Sequence, residues 1–161
     1  MRATSTATGL VWAFKRSFVQ YIAQMPDGRM SVTGGADVNG MNFHFETLSV
    51  AGNSDSGTLA FRGDVRFAGH GNLLFVGIAD PVIVFDGGDA IVTVQLPSNV
   101  QGATERIDLA SGSLALTERQ AELERYTVSG LGLTEAGSEL FGGVYPPGEQ
   151  LDDIHFTISR S

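Results

Sequence analysis

The stretch LVWAFKRSFVQYI, at residues 10–22, changes its hydrophobic period in the middle, and that change decides how the fold begins. Large apolar residues alternate with smaller ones as far as Phe14, which is typical of a short strand. Phe14, Phe18 and Tyr21 then recur at helical spacing. The turn signal PDG at residues 26–28 follows, so this part of the chain predicts one strand that leads into one short helix.

Short strands are predicted along most of the remaining chain. Apolar and polar residues alternate at residues 41–45 and 59–67, and several apolar runs lie between residues 73 and 96. The charged stretch at residues 117–125 fits either a helical turn or a solvated hairpin. A last strand is predicted at residues 154–158, where every second residue is apolar.

A second short helix is predicted after Thr134, whose hydroxyl can cap the first turn. Glu135 suits the helix dipole there, and Gly142 and Gly143 end the helix. Many strands and two short helices predict a mainly β fold, built as two packed antiparallel β-sheets in a sandwich-like arrangement.

One domain is predicted for the chain of 161 residues, which contains 21 glycines. Residues 1–8 are small and polar and are predicted to form a flexible N-terminal arm. Residues 9–161 contain neither a linker nor an internal repeat. They are therefore predicted to form the single domain.

Charge and composition exclude several classes of function. The net charge of −8 argues against a nucleic-acid partner, because such proteins cluster Lys and Arg. Zero cysteines exclude disulfides, thiolate zinc sites, iron–sulfur clusters and cysteine nucleophiles. No run approaches the roughly 20 apolar residues that span a bilayer, and the first residues lack the apolar core of a signal peptide. We expect a soluble protein without direct membrane insertion, cytoplasmic as the sequence stands.

Tyr21 and His70 are the main candidates for chemistry. A tyrosine phenolate is a ligand for ferric haem, and coordination to the metal favours the ionised form over the neutral phenol. A neighbouring histidine can donate a hydrogen bond to the phenolate oxygen, as residues around a metal ligand often do. His70 lies between two glycines, which permit a bend and a close approach to a flat group. The alternatives are a tyrosine at the edge of the core and a histidine at a strand end.

Ser17, Tyr145, Arg16 and Phe18 complete the predicted cofactor-binding set. Ser17 lies on the helical face of Tyr21, near the helix start, where a hydroxyl and free amides can hold a carboxylate. Arg16 can add a charge, and Phe18 belongs to the stripe of Tyr21. Tyr145 precedes a Pro-Pro-Gly loop and can cover a pocket. A capping serine and a core tyrosine are the structural alternatives for Ser17 and Tyr145.

Other chemistries find little support in the sequence. His44 and His155 are expected at the surface of strands, and no His-Glu-x-x-His motif is present. The glycines at residues 130–137 have the wrong spacing for a dinucleotide-binding loop, and no nucleophile elbow occurs.

Taken together, these segments resemble the HtaA domain, the haem-binding module of actinobacterial haem-uptake proteins. The resemblance rests on the stretch at residues 10–22, on FRGDVRFAGHGNL at residues 61–73, on IADP at residues 78–81 and on scattered matches from Leu133 to Phe156. It departs from the family pattern at Ala13 and Phe14, where Gly-Val is usual, and at Asn72, where a second glycine is common.

The resemblance implies two antiparallel β-sheets with short helices and a haem bound in a surface cleft. It implies that Tyr21 is the axial iron ligand, that His70 hydrogen-bonds Tyr21, and that Ser17 and Tyr145 lie at the haem periphery. Family members are usually exported and anchored, so the resemblance implies an extracytoplasmic, cell-surface location as the alternative to the cytoplasm.

The sequence thus predicts a non-enzymatic protein that binds ferric haem b through Tyr21 and transfers or stores it during haem uptake. Its expected partners are haem and other haem-uptake proteins that act as donor or acceptor. The alternative is a β-sandwich module that binds a protein or a glycan without haem. A third reading, an enzyme of haem or peroxide chemistry, lacks an evident distal acid–base group.

Overall fold

The computed structural model describes residues 8–71, 73–96 and 105–159. Of the predicted N-terminal arm at residues 1–8, only Thr8 is among them. The described residues form a mainly β structure with two short helices, as predicted. The helices are α1 (Arg16–Gln24) and α2 (Glu135–Leu140). The strands are β1 (Gly9–Trp12), β2 (Arg29–Thr33), β3 (Ala36–Asn39), β4 (Asn42–Gly52), β5 (Ser56–Arg62), β6 (Asp64–Gly69), β7 (Leu74–Asp86), β8 (Asp89–Leu96), β9 (Glu105–Gln120), β10 (Leu123–Leu133) and β11 (Ile154–Ser159).

Eight of these strands form a closed antiparallel ring, so the fold is a β-barrel with extra strands. The order around the ring is β7-β5-β4-β1-β11-β10-β9-β8, and β8 pairs with β7 to close it. Strands β6 and β2 extend from β7, and β3 pairs with β4. The prediction of two packed sheets is therefore corrected, because one continuous sheet curls back on itself.

A sharp corner between β5 and β6 explains how β7 pairs both with strands of the ring and with the extension. Gly63 separates the two strands at φ +156°, and a Cβ there would lie 2.6 Å from the Cβ of Ala36. Opposite this corner, Asp80 has φ +46°; its N–H donates to the Gly63 carbonyl (2.7 Å) and its carboxylate accepts from the Gly63 N–H (3.1 Å). The first part of β7 therefore pairs with β6, and the second part pairs with β5 and β8.

The core joins the barrel to helix α1 through aromatic side chains. Phe14 is fully buried and contacts Trp12, Phe43 and Phe67, with ring centroids 4.7, 4.9 and 5.9 Å away. Helix α1 buries Phe18, Val19 and Ile22, and its polar face turns to solvent. The helix is thereby fixed against the inner face of the β6 extension.

One local prediction is confirmed, and the structure decides between two alternatives that the sequence leaves open. The Thr134 hydroxyl accepts a hydrogen bond from the Gly137 N–H and caps α2. The charged stretch at residues 117–125 is a hairpin between β9 and β10, not a helical turn. Neither helix in the described part of the chain has the length and apolar character needed to cross a bilayer.

Candidate functional site

The structure brings Tyr21 and His70 together at the surface. Tyr21 lies on α1 with 48 % of its surface exposed, and His70 is exposed in the turn between β6 and β7. The Tyr21 hydroxyl and Nε2 of His70 share a hydrogen bond, and the two ring centroids are 5.7 Å apart. Tyr21 is therefore not a core residue, and its polar end meets an imidazole at a place that an outside ligand can reach.

The packing of α1 on β6 explains why these two side chains meet. Phe18 contacts Phe67 edge to face, with ring centroids 5.2 Å apart. Tyr21 follows Phe18 by three residues on the helix, and His70 follows Phe67 by three residues on the hairpin. Because residues three apart on a helix share a face, the contact between Phe18 and Phe67 places the Tyr21 side chain over the end of the β6–β7 hairpin.

The turn that carries His70 has an unusual backbone conformation. His70 has φ +51° and Gly71 has φ +62°, both in the left-handed region. For a residue with a side chain this conformation costs about 1–2 kcal/mol, so other contacts must hold it. The backbone therefore bends at His70, and the His70 side chain does not continue the alternation of side chains along β6. Asn72 lies outside the described residues.

Asp27 supplies the contact that holds this turn, and the sequence analysis missed it. Its Oδ1 accepts a hydrogen bond from the His70 N–H (3.2 Å), and its Oδ2 accepts one from the Gly71 N–H (2.7 Å). The hydrogen bond from Gly71 is the largest cause that lowers the pKa of the Asp27 carboxyl. The carboxylate therefore stays ionised at neutral pH and loses these hydrogen bonds only as the pH falls below its ordinary range.

Gly28 shapes the end of α1 from which Asp27 reaches the turn. A Cβ at Gly28 would lie only 2.0 Å from the backbone carbonyl oxygen of Ile22. We expect Gly28→Ala to lower the free energy of unfolding by about 1–3 kcal/mol, because backbone atoms must move to admit the methyl group. Gly88→Ala is the matched control, since a Cβ there meets nothing within 4 Å. Equal urea-unfolding midpoints for the two variants would contradict the expectation.

Tyr145 lies beside the same helix, in the loop that follows α2. Its ring packs edge to face on Phe141 and Phe18, with centroids 5.7 and 6.4 Å away. Lys15 Nζ stands 5.3 Å from the centre of the Tyr145 ring, and the Ser138 hydroxyl donates to the Tyr145 carbonyl (2.6 Å). Phe18 thus contacts the Tyr145 ring on one side and precedes Tyr21 by one helical turn.

The other predicted site residues differ in their placement. Ser17 is exposed in the first turn of α1, on the flank of Tyr21. Phe18 is only 3 % exposed, so it packs beneath the surface and does not present a face to a ligand. Arg16 lies about 140° around the helix axis from Tyr21. Its guanidinium pairs with Asp152 at 3.3 Å, so it does not join the Tyr21–His70 pair.

Two exposed apolar side chains lie in the segments that carry the candidate residues. Leu73, in the turn of His70, is 91 % exposed, and Val144, next to Tyr145, is 66 % exposed. Isolated apolar side chains are common on protein surfaces. Each lies in a loop that contacts α1, through His70 against Tyr21 in one loop and through Tyr145 against Phe18 in the other.

Two cavities lie apart from the Tyr21–His70 pair. One, of about 270 Å³, is lined by the opposite flank of α1, including Val19 and Ala23, and by Met30 and Met41. The other, of about 400 Å³, includes Arg16 and residues 150–153 in its wall. Within the described ranges, no three His, Cys, Asp or Glu side chains come together as a metal site.

Comparisons with known proteins agree with the fold. A sequence model of the HtaA family matches residues 7–157. The crystal structure of the C-terminal domain of HtaA from Corynebacterium glutamicum superposes with a TM-score of 0.80 at 26 % identity, covering 95 % of this chain and 96 % of that domain. The N-terminal domain of the same protein gives a TM-score of 0.76 at 29 % identity, covering 99 % of each chain.

A third solved structure extends the likeness of the fold. The protein described as haem-binding protein HtaB, from the same organism, gives a TM-score of 0.70 at 19 % identity and covers 95 % of this chain and 92 % of its own. Comparison with curated protein sequences gives no significant match.

Proposed function

The chain belongs to the HtaA family, and from this premise we propose that its Tyr21–His70 pair binds ferric haem. In this proposal the Tyr21 phenolate is the single axial ligand that the protein supplies to the iron. Ferric haem b accepts a phenolate as an axial ligand, and the porphyrin brings a flat apolar face and two carboxylates to the site.

The observation that carries the proposal is the hydrogen bond between the Tyr21 hydroxyl and His70 Nε2. A free phenol titrates near pH 10 and is a poor ligand at neutral pH. An imidazole nitrogen in contact with the hydroxyl can accept the proton that the phenol releases. The same Nε2–H then donates to the phenolate oxygen, which keeps the ligand oriented and tunes its basicity.

Side chains beside the pair fit the remainder of the proposed ligand. The exposed Ser17 hydroxyl, in the first turn of a helix that no described side chain caps, suits a propionate carboxylate. In this proposal the half-buried ring of Tyr145, which packs on Phe18, contacts the edge of the porphyrin. Leu73 and Val144 are the exposed apolar side chains that the porphyrin would cover. We leave Arg16 out of this contact set, because it pairs with Asp152, and we assign Phe18 to the floor beneath it.

We further propose that the protein is a carrier in haem uptake and not a catalyst. With Tyr21 as the single protein ligand, the iron would remain open to a ligand from a partner, another haem-uptake protein acting as donor or acceptor.

Titration of the purified, haem-free protein with ferric haem tests the proposal. We expect saturable binding of one haem per chain, with a Soret shift and a charge-transfer band at longer wavelength. A linear increase without saturation would contradict the proposal. That result would favour the alternative, a β-sheet module that binds a protein or a glycan.

A further inference from the structure

Asp27 connects the two segments that carry the proposed haem site. It follows the last residue of α1, Gln24, by three positions and lies in the turn directly after the helix that bears Tyr21. Its two carboxylate oxygens accept one N–H each from His70 and Gly71, at 3.2 and 2.7 Å. These contacts cross 43 and 44 residues of sequence, so they tie the end of the helix to the hairpin turn.

We infer that Asp27 is a positioning residue, which holds the His70 imidazole against the Tyr21 hydroxyl through the backbone of the hairpin turn. The inference rests on the proposed function for its relevance to haem. The Tyr21–His70 contact should depend on Asp27 in the haem-free protein as well.

The conformation of the turn explains why a carboxylate is needed. His70 and Gly71 both have positive φ, and their successive N–H groups converge on one side, as in the small backbone concavities that bind anions. A residue such as His70 enters the left-handed region only when its surroundings fix it there. Since φ of His70 sets the direction of its side chain, the carboxylate that fixes the turn also aims Nε2 at Tyr21.

The ionisation of Asp27 supports this role. The two N–H groups that donate to the carboxylate lower its pKa, as does the nearby His70. An ionised carboxylate accepts stronger hydrogen bonds than a neutral side chain. Asp27→Asn keeps one oxygen acceptor and loses the charge, whereas Asp27→Ala loses both acceptors. We therefore expect the effects of the two variants to be graded, with alanine the more severe.

The first test uses the haem-free protein and the NMR resonance of the His70 ring nitrogen. With Asp27 present, Tyr21→Phe should shift the Nε2 resonance, because it removes the hydrogen bond. In Asp27→Ala the same Tyr21→Phe change should leave the resonance in place, because the contact is already lost. An equal shift in both backgrounds would overturn the inference, and it would do so whether or not the protein binds haem.

The second test measures the rate at which haem leaves the loaded protein for an excess of a haem-free globin. We expect Asp27→Ala to raise this rate roughly threefold to tenfold, the range set by the loss of one net hydrogen bond. In a His70→Ala background, the same change should alter the rate by less than about twofold, since Asp27 acts through His70. The same increase in both backgrounds would contradict the inference.

Asp37→Ala is the matched control for both tests. The Asp37 carboxylate also accepts a backbone N–H, that of its neighbour Val38 at 2.9 Å, but it lies on β3, away from the hairpin turn of His70. It should change neither the His70 resonance nor the rate of haem loss. If Asp27→Ala does not fold, both measurements are made on Asp27→Asn instead. A shift caused by Asp37→Ala as large as that of Asp27→Ala would overturn the specific role of Asp27.

Discussion

Tyr21→Phe is expected to weaken ferric haem binding by at least about 100-fold and to abolish the phenolate charge-transfer band. Loss of a residue that only supports a metal ligand costs roughly 10- to 100-fold in affinity, so loss of the ligand itself should exceed that range. Phenylalanine keeps the ring and its packing on the helix, so the change removes only the oxygen. Equilibrium titration followed by absorbance measures both the affinity and the band.

Tyr145→Phe is the control for this experiment. It removes a tyrosine hydroxyl in the loop beside the same helix and leaves the ring contacts with Phe18 and Phe141 in place. We expect the charge-transfer band to persist and the affinity to fall by less than about 10-fold, as the loss of a single hydrogen bond would cause. Tyr21→Phe with the spectrum and affinity of the original protein would show that Tyr21 is not the ligand.

His70→Ala should weaken haem binding roughly 10- to 100-fold and speed up haem loss, while the charge-transfer band remains. The imidazole is expected to take the phenol proton and to donate to the phenolate, so its removal leaves the ligand in place but less stabilised. Stopped-flow transfer of haem to an excess of a haem-free globin measures the rate of loss.

His155→Ala is the matched control for that variant. His155 is an exposed histidine on β11, and its Nδ1 shares a hydrogen bond with the Thr127 hydroxyl at 3.0 Å. It does not contact Tyr21, so the rate of haem loss should stay unchanged. A rate for His70→Ala equal to that of His155→Ala would remove the supporting role of His70.

The local structure around Tyr21 could be predicted because short-range patterns determine it. The change from alternation to helical spacing after Phe14 predicts the strand β1 and the helix α1, and both are present. The same spacing puts Ser17 and Tyr21 on one flank. Thr134 could be predicted as the cap of α2, because its hydroxyl accepts a hydrogen bond from the N–H of Gly137, only three residues later. These features depend on neighbouring residues, so a single sequence contains the information for them.

The features that the sequence did not reveal depend on contacts between distant residues. Alternating strands can form a sandwich or a barrel, and the choice here rests on the pairing of β7 with β8 and on the corner at Gly63. The PDG signal identified a turn at residues 26–28. It could not show that the Asp27 carboxylate binds the backbone of a turn more than 40 residues away.

Arg16 shows that residues adjacent in the sequence can point in different directions on a helix. The sequence predicts Arg16 in the site for its charge, and a helix rotates successive residues by about 100°, so Arg16 and Ser17 point in different directions. Its guanidinium meets Asp152, a carboxylate that follows it by more than 100 residues in the chain. The ion pair links the start of α1 to the segment before β11.

Resonance Raman spectroscopy of the ferric haem complex, with excitation in the charge-transfer band, tests the proposed ligand most directly. The proposal predicts vibrations of an iron-bound tyrosinate in the original protein and in His70→Ala, and their loss in Tyr21→Phe. A spectrum of histidine-ligated haem, or tyrosinate vibrations that persist in Tyr21→Phe, would contradict it.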